Sequence, residues 1–469
     1  MKYKIDLTKG NILKDLLIVA IPTLLTSLIQ MAYNLTDMFW IASVDQIGLD
    51  SEQAVAAIGT AGFYPWFGFG VIMLAKIGTS VKVSQAVGMH DQKLLQRIGN
   101  NGVLIMFVLG LMYTVFGVFG NQYFIGWFES GIANVDAYAM SYMRIVSMFG
   151  LSFFMVNLLN GVYDGLGKTM STFLISFSGL ALNMILDPIF ILGEINVFGL
   201  FTINGLSMGV EGAALATGIG QGSILLIYIF IYINKKYQPF TINFREYDFK
   251  VIKEILRIGF YISAQSVLFT FISMFVAKRV LLFGEAPMAV QRLGSQFEAV
   301  AWMVASGFQV ALASFVGQNF GAKKYERIKE GYKTSMKLLV PYGILVNIAL
   351  FVFARPLFGL FFSETLTLDI GETYLRILSI SQLFMIVELA TAGVFNGLGR
   401  TVYPSVVGIA GNVLRIPAAI FLGASIGYAG IWWGVSISSV VKGTVLVIWL
   451  LYFLRKLGKP DGILFENKL

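Results

Sequence analysis

Asn157-Leu158-Leu159-Asn160-Gly161-Val162-Tyr163-Asp164-Gly165-Leu166-Gly167-Lys168-Thr169, followed after an apolar run by Leu182-Asn183-Met184-Ile185-Leu186-Asp187-Pro188, is the stretch whose reading decides the fold. Its hexapeptide Asp164-Gly165-Leu166-Gly167-Lys168-Thr169 returns as Asn396-Gly397-Leu398-Gly399-Arg400-Thr401. Such a return marks two related halves. Each copy follows one long apolar span and precedes another, so both mark the same helix-to-helix turn. Only the first copy leads on to an acid, Asp187, inside an otherwise lipid-compatible helix.

The composition admits one setting. Of 469 residues, 57% are hydrophobic and 13% charged, with mean hydropathy +0.76, a balance that a soluble core of this length does not need. This is a polytopic membrane protein. Cysteine is absent and the only His is His90, which excludes disulfides and thiolate chemistry and leaves no ligand set for zinc or haem. The net charge of +8 is spread over short loops, so it sets orientation and does not form a nucleic-acid stripe. The run after Lys14 lacks a small-residue cleavage pattern and reads as a first spanning helix, not a removed signal.

Apolar runs of roughly 20 residues or more number twelve, with approximate limits 14–43, 54–84, 95–120, 133–163, 168–193, 209–234, 251–283, 287–317, 327–354, 366–396, 402–424 and 428–456. A lipid-facing backbone must satisfy its own hydrogen bonds, and no alternating barrel strands occur, so these are helices. The expected fold is an all-α integral membrane protein with twelve transmembrane helices in two pseudo-symmetric six-helix bundles. The lobes are 1–234 and 251–469, joined by a polar linker at 235–250. Further echoes support the division: Lys14-Asp15-Leu16-Leu17 with Lys253-Glu254-Ile255-Leu256, and Gln85-Ala86-Val87-Gly88 with Gln318-Asn319-Phe320-Gly321. Basic residues crowd the even-to-odd connections, which places those loops and both termini in the cytoplasm and the chain in the plasma membrane, the inner one where there are two. Two halves that both start inside are parallel repeats.

The twelve-span plan resembles the multidrug and toxic compound extrusion (MATE) transporters over essentially the whole chain. The matching stretches are Tyr33-Asn34-Leu35-Thr36-Asp37, Gly78-Thr79-Ser80 through Gly88, Asn157 to Thr169, Asn183 to Pro188, and Phe297-Glu298-Ala299 through Gly321-Ala322. The resemblance is closest to the bacterial and archaeal branch that keeps its ionisable pair in the amino-terminal lobe, where a first-helix Pro precedes the Asp as Pro22 precedes Asp37. It implies an antiporter that expels organic, cationic or amphipathic compounds in exchange for H+ or Na+, without a cofactor and acting as a monomer. It also implies that Tyr33, Asp37, Asn157, Asn160, Asn183, Asp187 and Thr217 surround the coupling site.

The residues carry part of this on their own. Asp37 and Asp187 each lie about six residues from the outer end of a span, hence roughly 9 Å in at ~1.5 Å per residue, so they can share a site. Asn183 precedes Asp187 by one helical turn and Asn34 precedes Asp37 by slightly less, which gives each acid an amide on its own face. Asn157 and Asn160 fall nearer the cytosol. A charge within a span costs at least ~2.5–3.5 kcal/mol, so such groups are seldom idle, and a carboxylate pair with an amide can hold a proton or a Na+ at Asp37, Asp187 and Asn183.

Other intramembrane charges call for partners. Lys76, inside the second span, is expected to snorkel toward the inner interface, the alternative being a charge in the translocation cavity. In the second half the membrane-depth charges are Glu298, Glu388 and Arg415, with Arg415 at the repeat position of Asn183 and Ala419 at that of Asp187. Glu388 and Arg415 are expected to neutralise one another. The sharper alternative puts Glu298, Glu388, Gln265 and Lys76 in the substrate cavity. Gly165 to Thr169 is no phosphate loop, because no strand-to-helix context surrounds it and its twin has Arg400. No His-Glu-x-x-His, nucleophile elbow or Cys supports an enzyme. The expected mechanism has ion binding at Asp37 and Asp187 bend the first span at Pro22, which lacks a hydrogen-bond donor. The rival reading is a lipid-linked oligosaccharide flippase of the same superfamily.

Overall fold

The computed structural model describes residues 6–127, 132–197, 201–234, 238–243 and 247–458. Parts of the expected linker, 235–237 and 244–246, lie outside the described residues, as do both extreme termini. The first half runs α1 (Ile12–Ile41), α2 (Ser51–Ala61), α3 (Phe63–Gly88), α4 (Gln92–Phe119), α5 (Asn121–Gly126), α6 (Ala133–Met148), α7 (Gly150–Gly165), α8 (Thr169–Ile191) and α9 (Gly209–Ile233). The second runs α10 (Phe249–Leu281), α11 (Glu285–Gly321), α12 (Tyr325–Val352), α13 (Ala354–Gly359), α14 (Thr365–Gly397), α15 (Val402–Val413) and α16 (Arg415–Lys456).

Among the described residues ten helical runs are long and apolar enough to cross a membrane, the bent α6–α7 pair makes an eleventh, and dividing the 402–456 run at its kink gives the twelve expected crossings, in two lobes. Three crossings are interrupted where a continuous helix was expected. The second breaks at Gly62 between α2 and α3, and the fourth bends by 53° between α6 and α7. The eleventh breaks at Leu414 between α15 and α16, and it meets the twelfth inside α16, between the two expected spans, where Ile426 and Gly427 leave the helical conformation and Gly427 takes φ 68. The sequence reading also lacked a strand pair: β1 (Glu194–Val197) and β2 (Phe201–Asn204) form a two-stranded antiparallel hairpin between α8 and α9.

The repeated hexapeptide builds the same turn twice. Gly167 and Gly399 take φ 74 and 72, a left-handed conformation that glycine adopts without steric cost. The amides that follow close the helix ends in matching fashion: Lys168 N donates to Tyr163 O (2.8 Å) and Arg400 N to Phe395 O (2.8 Å). The next threonine of each copy then reaches the first helix of its own lobe. Thr169 Oγ1 donates to Val19 O on α1 at 3.1 Å, and Thr401 Oγ1 to Ile258 O on α10 at 2.7 Å.

At the end that carries the termini, the lobes are clasped together by pairs that exchange roles. Gln85 Nε2 donates to Gly397 O (3.1 Å) and Gln318 Nε2 to Gly165 O (3.4 Å). Gly88 lies against the Gln318 backbone and Gly321 against the Gln85 backbone, each too close for a side chain. Lys82 and Glu254 add an ion pair at 2.7 Å. Hydrogen bonds between the halves, among the described residues, extend from this end to Ser263 Oγ→Gly70 O (2.7 Å) near mid-depth.

Two segments expected to be simple connections are docked. Leu7 is fully buried; its N–H donates to Gln318 Oε1 (3.1 Å), its carbonyl accepts from Asn319 Nδ2 (3.0 Å), and Arg327 grips Lys9 O, Gly10 O and Asp15. The described part of the linker lies along α4, with Thr241 N donating to Gln96 Oε1 (2.8 Å), Asn243 N to Asn100 Oδ1 (3.0 Å) and Asp248 N to Asn101 Oδ1 (2.9 Å). α1 packs on both lobes. Leu16, Val19 and Ala20 belong to an apolar cluster with Ala305, Phe308 and Leu312 of α11, and the helix also packs along α8.

Adding a methyl group at Gly321 forces the clasp apart, at a cost of about 1–3 kcal/mol. Gly321→Ala is expected to lower the thermal unfolding midpoint in detergent, whereas Gly59→Ala, with nothing within 4 Å of the new carbon, leaves it unchanged or slightly raised.

Candidate functional site

Two helices of the first lobe present acids from facing sides. α1 carries Tyr33 and Asp37 one turn apart, and α8 carries Asn183 and Asp187 at the same spacing, so each pair shares a face. Asp187 is fully buried and Asn183 nearly so. Asn183 Nδ2 donates to Asp187 Oδ1 at 3.1 Å, and Tyr33 Oη lies 3.3 Å from Thr217 Oγ1 on α9. Asp37 and Asp187 lie within electrostatic reach of one another and of Tyr142 on α6.

Three oxygens here are buried without a donor: Asp37 Oδ1, Asn183 Oδ1 and Asp187 Oδ2. Buried acceptors are normally paired, and an ionised carboxylate is an acceptor only. What they lack is a positive partner, and either a proton or a small hard cation coordinated by carboxylate and amide oxygens meets that need. A narrow crevice lined by Tyr33, Asn183, Thr217 and Gln221 adjoins them.

The structure redistributes the other expected members. Asn34 does not share Asp37's face: it is exposed and its Oδ1 accepts from Gln30 Nε2 at 3.4 Å, so Tyr33 is the companion on α1. Asn157 and Asn160 on α7 have their hydrogen bonds elsewhere. Asn157 Oδ1 accepts from Lys76 Nζ (3.3 Å), while Asn160 Oδ1 accepts from Tyr228 Oη (2.6 Å) and its Nδ2 reaches Ser176 Oγ (3.5 Å). They form an inner polar cluster below the acid pair, as their depth in the sequence suggested. Lys76 does not snorkel. Its ammonium stays in the lobe beside Asn157, 5.7 Å from the Phe69 ring centre and in the field of Asp164. Tyr142 and Gln221 escaped the sequence reading; the only signal was Gln221 one turn after Thr217.

In the second lobe the expected Glu388–Arg415 pairing is corrected. Glu388 Oε1 contacts Lys442 Nζ at 3.3 Å, with side chains 14% and 7% exposed. Arg415 instead donates to Ser438 Oγ (2.8 Å) and Ser439 Oγ (3.0 Å) beneath the Phe269 ring, and feels Glu388 only at longer range. Lys442, in the middle of the last span, is a membrane-depth charge that escaped the sequence reading, although its position between Val441 and Gly443 was signal enough. Glu298 accepts from Tyr374 Oη (2.6 Å) and Gln382 Nε2 (2.7 Å) and is satisfied within its own lobe. Gln265 lies against Gly408 of α15. Ala419 is buried in an apolar cluster, so the second lobe has no acid at the position of Asp187. Pro22 sits inside an uninterrupted α1.

Comparison with known proteins places this geometry. The MatE family model matches residues 22–189 and 262–421. A probable multidrug resistance protein NorM of Thermotoga maritima is 24% identical over 464 residues, covering 98% of this chain and 96% of that protein. A probable multidrug resistance protein YpnP of Bacillus subtilis is 24% identical over 452 residues, covering 95% and 96%. A structure described as the outward-facing conformation of a multidrug resistance MATE family transporter superposes with TM-score 0.87 at 21% identity, over 97% of this chain and 98% of that one.

Removing one member of a buried ion pair leaves the other charge stranded, at about 3–5 kcal/mol. Lys442→Met is therefore expected to lower stability strongly in denaturant titrations in detergent, and Lys442→Met with Glu388→Gln to recover most of the loss.

Proposed function

Because this chain belongs to the MatE family of transporters, we propose that it is a secondary antiporter exporting organic cationic or amphipathic compounds in exchange for inward H+ or Na+, coupled at Asp37 and Asp187. The observation that carries this reading is the set of three buried oxygens without donors, Asp37 Oδ1, Asn183 Oδ1 and Asp187 Oδ2. Asn183 and Thr217 complete the ion's surroundings with Tyr33. Asn157 and Asn160 act one layer further in, through Lys76 and Tyr228.

The cycle needs only opposite preferences. An arriving H+ or Na+ cancels negative charge between α1 and α8, and an organic cation draws on the same charge, so ion and substrate favour different conformations. Pro22 provides the bend. Its missing N–H leaves the helix weak at that turn, where the part of α1 packed on the second lobe gives way to the part bearing Asp37. On this reading the transporter is a monomer in the plasma membrane with its basic end cytoplasmic, and the clasp at that end supports an outward-open conformation. The multidrug names of relatives spanning nearly the whole chain favour small-molecule export over the flippase reading.

In proteoliposomes loaded with a panel of organic cations, separately imposed Na+ and H+ gradients identify the coupling ion. Asp37→Asn is expected to abolish gradient-driven transport with unchanged helical content; undiminished transport by this variant refutes the assignment.

A further inference from the structure

The repeated hexapeptide ends in a threonine whose two copies do the same thing with different consequences. Thr169 Oγ1 lies 3.1 Å from Val19 O and 3.4 Å from Ile18 O, both on α1. Ile18 is four residues before Pro22, so its carbonyl is the one that Pro22 deprives of a helical donor. Thr169 is buried and comes from α8, the helix that also holds Asp187. Its twin Thr401 bonds Ile258 O on α10, where no proline follows and the helix supplies its own donors.

The turn around Pro22 is weakened in a second way. Thr23 Oγ1 donates back to Val19 O (2.9 Å), Thr26 Oγ1 to Pro22 O (2.9 Å) and Ser27 Oγ to Thr23 O (3.2 Å). Side-chain bonds of this kind compete with the helical ladder and favour bending. On the opposite side Gly307 of α11 sits so close to Ala20 O that an added carbon would be 2.8 Å away, which fixes the inner segment on the second lobe. The Thr169 hydroxyl thus joins the first lobe to the inner α1 segment at the turn where α1 is weakest.

We propose that Thr169 is a positioning residue for the coupling helix, its hydroxyl holding the α1 carbonyls beside Pro22 and thereby setting how much of α1 stays unbent. The inference rests on the reading of Pro22 as the hinge. With Ile18 and Val19 held on the second lobe, a bend at Pro22 moves α8 and its Thr169 relative to those carbonyls, so the bond is assigned to the unbent form. An interaction present in one of two forms shifts their ratio by its own free energy.

The chain has no cysteine, so a nitroxide pair can be introduced cleanly at Leu35 on outer α1 and Phe119 at the end of α4, both exposed. Pulsed electron resonance distances, measured without substrate or gradient, then report bending. Thr169→Val is expected to raise the share of the second distance roughly two- to tenfold, the range for one net hydrogen bond. Thr169→Ser is expected to restore the parent ratio, and Thr401→Val to leave it alone. In a Pro22→Ala background the new amide serves Ile18 O and stiffens the hinge, so Thr169→Val, although its bond to Val19 O is still lost, should shift the ratio far less there; this pair also serves if Thr169→Val alone fails to fold. Two distances whose ratio ignores Thr169, or follows Thr401 equally, overturn the proposal. A single distance in every variant removes the hinge itself, and neither result bears on transport by Asp37→Asn.

Discussion

Inside a bilayer there is no water to rescue an unpaired backbone or side-chain group, and the placement of polar atoms in this protein follows from that constraint. Glu298, Asn160 and Arg415 each have protein partners at hydrogen-bond distance. Among the buried side-chain atoms without a protein partner, the only carboxylate oxygens in the described residues are Asp37 Oδ1 on α1 and Asp187 Oδ2 on α8. The same constraint explains why a proline in α1 is accompanied by a hydroxyl from α8.

Pseudo-symmetry supplies the frame, and departures from it supply the chemistry. The glycine turns, the threonine bonds and the glutamine clasp are held in common by both lobes. Asp187 and Pro22 have no counterpart: the matching places are Ala419 and the proline-free helix α10. The second lobe spends its buried charges on internal pairing, Lys442 with Glu388 and Arg415 with two serines. Pro22 and Asp187, on which the proposed ion coupling draws, are thus among the places where the two lobes differ.

Much of this was legible in the chain. Span lengths and the two halves follow from hydropathy and the rise of a helix, which are local properties, and the same rise put Asp37 and Asp187 within reach of one another. Partner choice is not local. Asn34 lies near Asp37 in sequence yet turns outward, because the rotation of α1 against α8 is set by packing; Glu388 takes Lys442 from another helix rather than Arg415 for the same reason. Lys76 has a stem long enough to reach the interface, but Asn157 and Asp164 offer polar company at no cost of exposure. The β1–β2 hairpin was hidden because four-residue strands carry too little pattern to register.

The docking of the linker on α4 has a mechanical consequence. Asp248 is bonded to Asn101, and α10 begins at the very next residue. The root of α10 is therefore tethered to α4 with no free residue between, so a displacement of the second bundle at that point costs this bond, while rotation about the root of α10 can keep it.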